Sequence, residues 1–165
     1  MATSVAVMDR GAIAQFGTPT SIYEQPNSRF VAEFFGAANI LEGAAHGQMP
    51  GRPGLPPPFV RCAALGIDIV TSPTEGIDDG RQVGVAVRPE RITLSTDKPD
   101  GVANSAQGEV REVSYLGDRS ICHVEMAPGL TMRTTIDTRY GRAPPRHGDR
   151  VWLAWSARDA IVLHD

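Results

Sequence analysis

Residues 108–126 read GEVREVSYLGDRSICHVEM, and the alternation in this stretch decides the fold class. Gly117 and Asp118 are turn residues between two alternating runs, which predicts a β-hairpin. On the returning strand Cys122, Val124 and Met126 fall on one face and His123 and Glu125 on the other, because successive side chains point to opposite sides of a sheet. Cys122 is therefore expected in the core and His123 on the solvent side. Toward the C-terminus, Met132, Thr134 and Ile136 alternate with Arg133 and Thr135. Gly148 and Asp149 turn the chain into VWLAW at 151–155, where Val151, Leu153 and Trp155 share a face, and a last strand runs from Ala160 to Leu163. Toward the N-terminus, QVGVAV at 82–87 puts Val83, Val85 and Val87 together. VRPE then turns the chain before Ile92 and Leu94, and another strand opens at Asn39, Ile40 and Leu41. Seven or eight short strands after residue 38, with turns at close intervals, predict a mainly β domain: a small barrel or sandwich of oligonucleotide-binding type.

The chain before residue 38 has a different texture. VAVMDRGAIAQF at 5–16 predicts a β-hairpin with Gly11 in its turn. Thr18 followed by Pro19 marks a helix N-cap with proline at the first helical position, and Pro26 ends that helix near Glu24. Asn27 or Ser28 caps a second helix, which Gly36 stops, and Phe30, Val31, Phe34 and Phe35 are expected on one face. A boundary near residue 37 divides the chain into an N-terminal segment, 1–37, and a β domain, 38–165. PGRPGLPPP at 50–58 can be neither helix nor central strand and is expected as a loop or polyproline stretch.

Composition narrows the function. A chain of 165 residues with 41% hydrophobic and 21% charged residues has room for one buried core and none for a large multidomain enzyme. Its net charge of -3 argues against a phosphate-neutralising surface for nucleic acid. A Walker loop needs Lys followed by Ser or Thr, and the single lysine, Lys98, precedes Pro99. His46, His123, His147 and His164 form no metal-binding spacing, Cys62 and Cys122 form no CxxC pair, and no serine stands in a GxSxG elbow. Neither a catalytic site, a metal nor a cofactor is expected. No apolar run approaches the length that crosses a membrane, and no export signal opens the sequence, so a cytoplasmic protein is expected.

Four stretches taken in order add a family resemblance: VAVMDRGAIAQFGTPTSIYEQPNSRFVAEFFGAANILEG, VAVRPERITLS, GEVREVSYLGD and GDRVWLAWSARDAIVL. They resemble the exit of the ATPase core and the C-terminal TOBE regulatory domain of ABC importer ATP-binding subunits, of the type that serves polyamines, ferric iron, sulfate or sugars. The resemblance implies that residues 1–37 are the last strands and exit helices of such a core. It implies that 38–165 form a non-catalytic regulatory and dimerisation domain. The family's Walker A, signature, Walker B and switch histidine precede the matching stretch, so ATP and magnesium belong to the core and not to these residues. The implied partners are that core, the membrane permease subunits at the cytoplasmic face of the inner membrane, and a second copy of the chain. One departure stands out: the family's VRPE is usually followed by an acidic residue, and this chain has Arg91.

Two sets of candidate residues follow. Some relatives with this fold bind oxyanions or the transported solute, and Arg88, Arg133, Arg139 and the backbone N–H groups near Gly117 are the candidate donors here. The second set is apolar: Val5, Val7, Ile13 and Phe16 on the hairpin, with Phe30, Phe34 and Phe35 on the helix. Without an ATPase core this surface is expected to be covered by a homodimer partner. The short linker at Ala37 and Ala38 is expected to hinder folding back onto the chain's own β domain.

Overall fold

The computed structural model describes residues 2–47, 57–138 and 144–164. Arg139 and most of the proline-rich run lie outside the described residues. The N-terminal segment is a hairpin of β1 (Val5–Asp9) and β2 (Ala12–Gly17), followed by helices α1 (Pro19–Glu24) and α2 (Arg29–Phe34). Arg10 and Gly11 both have positive φ in the β1–β2 turn, as a two-residue hairpin loop of matching twist requires. Thr18 Oγ1 accepts the Ser21 N–H at 3.1 Å, and Ser28 Oγ accepts the Val31 N–H at 3.4 Å, so both helices start where their caps predict. Helices of six residues do not persist alone, and tertiary contacts must hold them.

Ten strands follow among the described residues, more than the seven or eight expected. They are β3 (Asn39–His46), β4 (Phe59–Cys62), β5 (Ile67–Val70), β6 (Gln82–Val87), β7 (Thr93–Ser95), β8 (Asn104–Tyr115), β9 (Arg119–Ala127), β10 (Leu130–Asp137), β11 (Arg150–Trp155) and β12 (Ile161–Val162). Two antiparallel sheets result, one in the order β12-β6-β3-β4-β5 and the other β10-β9-β8-β11-β7. Their inner faces share one core, which includes Leu41, Val60, Ile69 and Val85 from the first sheet and Val110, Cys122, Met132, Leu153 and Trp155 from the second. Burial pushes the Cys122 thiol up to about 11.

The strand orders show two interlocked copies of one unit. Strands β3–β6, a 3-10 turn at Pro89–Arg91 and β7 match β8–β11, a 3-10 turn at Ala157–Asp159 and β12. Each copy donates its last strand to the other sheet: β7 pairs with β11, and β12 with β6. The sequence carries the duplication faintly, in GAAN at 36–39 against GVAN at 101–104 and in GRQVGVAVRPER at 80–91 against GDRVWLAWSARD at 148–159. Hydrogen bonds repeat as well. Gly80 N–H donates to Ala45 O at 2.7 Å and Ala45 N–H to Arg81 O at 2.9 Å, while Gly148 N–H donates to Val110 O at 2.8 Å and Val110 N–H to Asp149 O at 2.9 Å. Gly43 and Gly108 occupy equivalent positions where neighbouring strands come too close for a side chain. A Cβ would stand 2.4 Å from Arg61 O at the first and 2.7 Å from Glu125 O at the second.

Two asparagines at equivalent positions tie the sheets together where no strand pairing does. The Asn39 amide donates to Val87 O and Arg133 O at 3.1 and 2.9 Å and accepts the Arg133 N–H at 2.7 Å. The Asn104 amide accepts the Val70 N–H at 2.7 Å and donates to Val70 O at 2.9 Å. Each acts as a one-residue strand on an edge that would otherwise stay unpaired.

The N-terminal segment, or arm, does fold back onto the β body, against the expectation from its short linker. Ala32 of α2 and Ala38 pack on Ala86 and Leu163 at the back of the first sheet. Ile40 and Ile161, half-buried, pack beside the same contact. Val31 is buried beneath it with Val7 and Ile22, whereas Phe30 and Phe34 point away, so the single aromatic face expected for α2 is divided.

Candidate functional site at the junction of arm and body

Arg88 follows β6, caps the 3-10 turn at Pro89–Arg91 and is 8% exposed. Its Nη1 donates to Ala32 O at 2.9 Å and its Nη2 to Tyr23 O at 3.1 Å, while the guanidinium lies 4.2 Å from the centre of the Tyr23 ring. Both carbonyls belong to the last turns of short helices, where backbone acceptors lack intrahelical donors and a cation is favoured. The Tyr23 hydroxyl donates to Glu90, and burial together with that carboxylate pushes the phenol above its ordinary range. Arg91 pairs with Glu24 at 3.1 Å and reaches Asp159 at 3.9 Å. Every residue of the VRPER stretch that carries charge therefore contacts the arm. The departure at position 91 has a reason in this chain: positions 91 and 159 are equivalent in the two units and meet, so an acidic residue at 91 would face both Asp159 and Glu24.

Two clefts flank this junction and share Tyr23 and Arg88 as a wall. One, of about 360 Å³, adds Arg91, Arg158 and Asp159. The other, of about 220 Å³, adds Phe35, Glu90, His123, Arg133 and Thr135. Of the expected anion donors, Arg88 and Arg133 thus come to one cleft, but the Arg88 guanidinium is already engaged by protein carbonyls. Arg133, opposite His123 in the β9–β10 ladder, has no hydrogen-bond or ion-pair partner for its guanidinium among the described residues. Gly117 is exposed in the β8–β9 turn with φ +97°, away from both clefts, and its carbonyl accepts from Thr138. Among the described residues no group of His, Cys, Asp and Glu is placed to hold a metal ion.

The apolar candidates divide in the same way. Val7 is buried within the arm, and Val5 and Phe35 pack against it. Ile13 and Phe16 are 62% and 68% exposed, Phe34 is 60% exposed, and Met8, which sequence reasoning passed over, joins them. Asn39, Asn104, Tyr23 and Glu90 were also passed over. The repeated GxAN motif was the signal for the asparagines, and none was available for the other two.

Comparison with protein families matches residues 85–163 to the TOBE domain, the stretch that opens with VAVRPER and closes with β12. The chain is 36% identical over 170 residues to the putrescine transport ATP-binding protein PotG of Escherichia coli, covering 99% of this chain and 42% of that protein. It is likewise 36% identical over 172 residues to the spermidine/putrescine import ATP-binding protein PotA of Thermobifida fusca, covering 99% of this chain and 41% of that one. The chain thus spans about two fifths of the length of the curated relatives it matches. The chain's architecture is also similar to that of a solved structure of the cytoplasmic molybdate-binding protein ModG, with TM-score 0.64 and 13% identity over 75% of this chain and 94% of that one. At that identity the likeness concerns the fold alone. No helix among the described residues is long and apolar enough to cross a membrane.

Proposed function

We propose that this chain is the regulatory, non-catalytic segment of the ATP-binding subunit of an ABC importer, similar in kind to those that import polyamines. The observation that carries the reading is the end-to-end alignment with the putrescine and spermidine/putrescine proteins, which includes the arm as well as the TOBE domain. Residues 1–37 are then the exit from an ATPase core, 38–165 the regulatory body, and permease subunits at the cytoplasmic face of the membrane the further partners. ATP and magnesium would act in the core. The exposed Met8, Ile13 and Phe16 of the hairpin and Phe34 of α2 are where a second copy would pair. A chimera tests the reading: this chain replaces the matching segment of the E. coli putrescine protein. Putrescine uptake well above that of the truncated protein supports it, and uptake no better than the truncation refutes it. Sedimentation of the chain beside a version starting at Asn39 tests the pairing, which a monomeric full chain would exclude.

A second reading, small-ligand sensing, is favoured by the unpartnered Arg133 guanidinium beside His123 and Thr135 in the smaller cleft. Equilibrium dialysis against sulfate, molybdate and putrescine is its test, and binding unchanged by Arg133→Gln would place any site elsewhere.

A further inference from the structure

The duplication supplies an internal comparison for the Arg88–Arg91 stretch. In the second unit the position equivalent to Arg88 is Ser156, and that equivalent to Arg91 is Asp159. The second unit makes its own 3-10 turn and donates its strand β12 without an arginine reaching out to a helix. The β fold therefore does not need Arg88, Glu90 or Arg91 for its own closure. What distinguishes the first unit is the arm on its back, and these three side chains all reach toward it: Arg88 to the ends of α1 and α2, Glu90 to Tyr23, Arg91 to Glu24. The apolar part of the same junction is Ala32 and Ala38 on Ala86 and Leu163, with Ile40 and Ile161 beside them, and open clefts lie on both sides of the Tyr23–Arg88 stack. Arg29 pairs with Glu42 and the His164 N–H donates to Asn27 O as well, so polar contacts hold much of the junction.

We propose that Arg88, Glu90 and Arg91 form a latch that fixes the arm at one angle to the β body, and that this latch is the coupling element between the regulatory body and the unit joined to the arm. The three are positioning residues with no part in chemistry. The coupling half of the proposal rests on the reading of the chain as part of an importer's ATP-binding subunit, while the latch itself concerns this chain alone.

Hydrogen exchange on the full chain tests the latch. Arg88→Gln and Arg91→Glu are expected to raise amide exchange in residues 19–35 by roughly tenfold or more while strands β8–β10 keep their protection. Combining Arg91→Glu with Glu24→Arg restores an ion pair to the arm but leaves the introduced carboxylate beside Asp159, so recovery of arm protection in the double variant assigns the effect to the arm. Unchanged exchange in the arm, or a parallel rise in β8–β10, overturns the latch. The chimera with the E. coli putrescine protein tests coupling. Arg91→Glu is expected to lower putrescine uptake per ATP hydrolysed several-fold, with the double variant recovering it. If the parent chimera imports and the ratio is unmoved by Arg91→Glu, the coupling is overturned; if the parent chimera itself fails to import, the functional reading falls and takes the coupling with it.

Discussion

Gly43 and Gly108 show at the scale of single residues how closely the strands approach. A methyl group at either position would press on a backbone carbonyl of the next strand, which cannot swing aside as a side chain can. Gly43→Ala and Gly108→Ala are each expected to cost about 1–3 kcal/mol, the usual penalty for overpacking. Urea unfolding measures this, and a loss under about half a kcal/mol would show that the ladder yields freely. Leu153 tests the opposite fault. Fully buried between the two sheets, it leaves a void on substitution by alanine, with an expected cost of about 2–5 kcal/mol by the same measurement.

Elements are joined here by side chains as much as by strand pairing. Asn104→Ala removes both partners of Val70 at the edge of β5, with an expected cost of about 1–3 kcal/mol. Asn39→Ala removes three bonds and should cost more; equal effects at the two sites would mean that water replaces the lost partners. The arm has a pH limit of its own. The raised Tyr23 phenol favours its neutral form when folded, so its share of arm stability is present below about pH 10 and is lost as pH rises through the folded value. Glu90, Arg88 and Arg91 face it, and the carboxylate together with burial outweighs the two cations. Arm amides are expected to exchange faster above about pH 10 than the intrinsic rate accounts for, and Tyr23→Phe should remove that excess.

The two units of the β body complete each other by exchanging their last strands, so they are expected to unfold together. Residues 38–95 alone lack β12, and residues 96–165 alone lack β7, which leaves β6 and β11 each with a bare edge. Neither half is expected to melt cooperatively as a monomer, while an equimolar mixture should regain a sharp transition by circular dichroism. A half that unfolds cooperatively by itself as a monomer would show that the exchanged strands are dispensable. At this scale the exposed Ile13, Phe16 and Phe34 matter too, since the arm leaves these large apolar side chains in water.

Local chemistry was legible in the linear chain. The strand alternation of 120–126, 131–136 and 151–155, the caps at Thr18 and Ser28 and the turn at Arg10–Gly11 depend on residues a few positions apart, and each stands where its pattern puts it. The ordered motifs also carried the family. Partners set by strand order were not legible. Arg88 looked like a free donor because the carbonyl it binds at Ala32 is 56 positions away, and Asn39 looked ordinary because Arg133 is 94 positions away. Helical periodicity put four residues of α2 on one face, but the helix buries Val31 within the arm and Ala32 against the back of the first sheet, which turns Phe30 and Phe34 outward. Only the fold could decide these points, since which edges come together depends on where each unit sends its last strand.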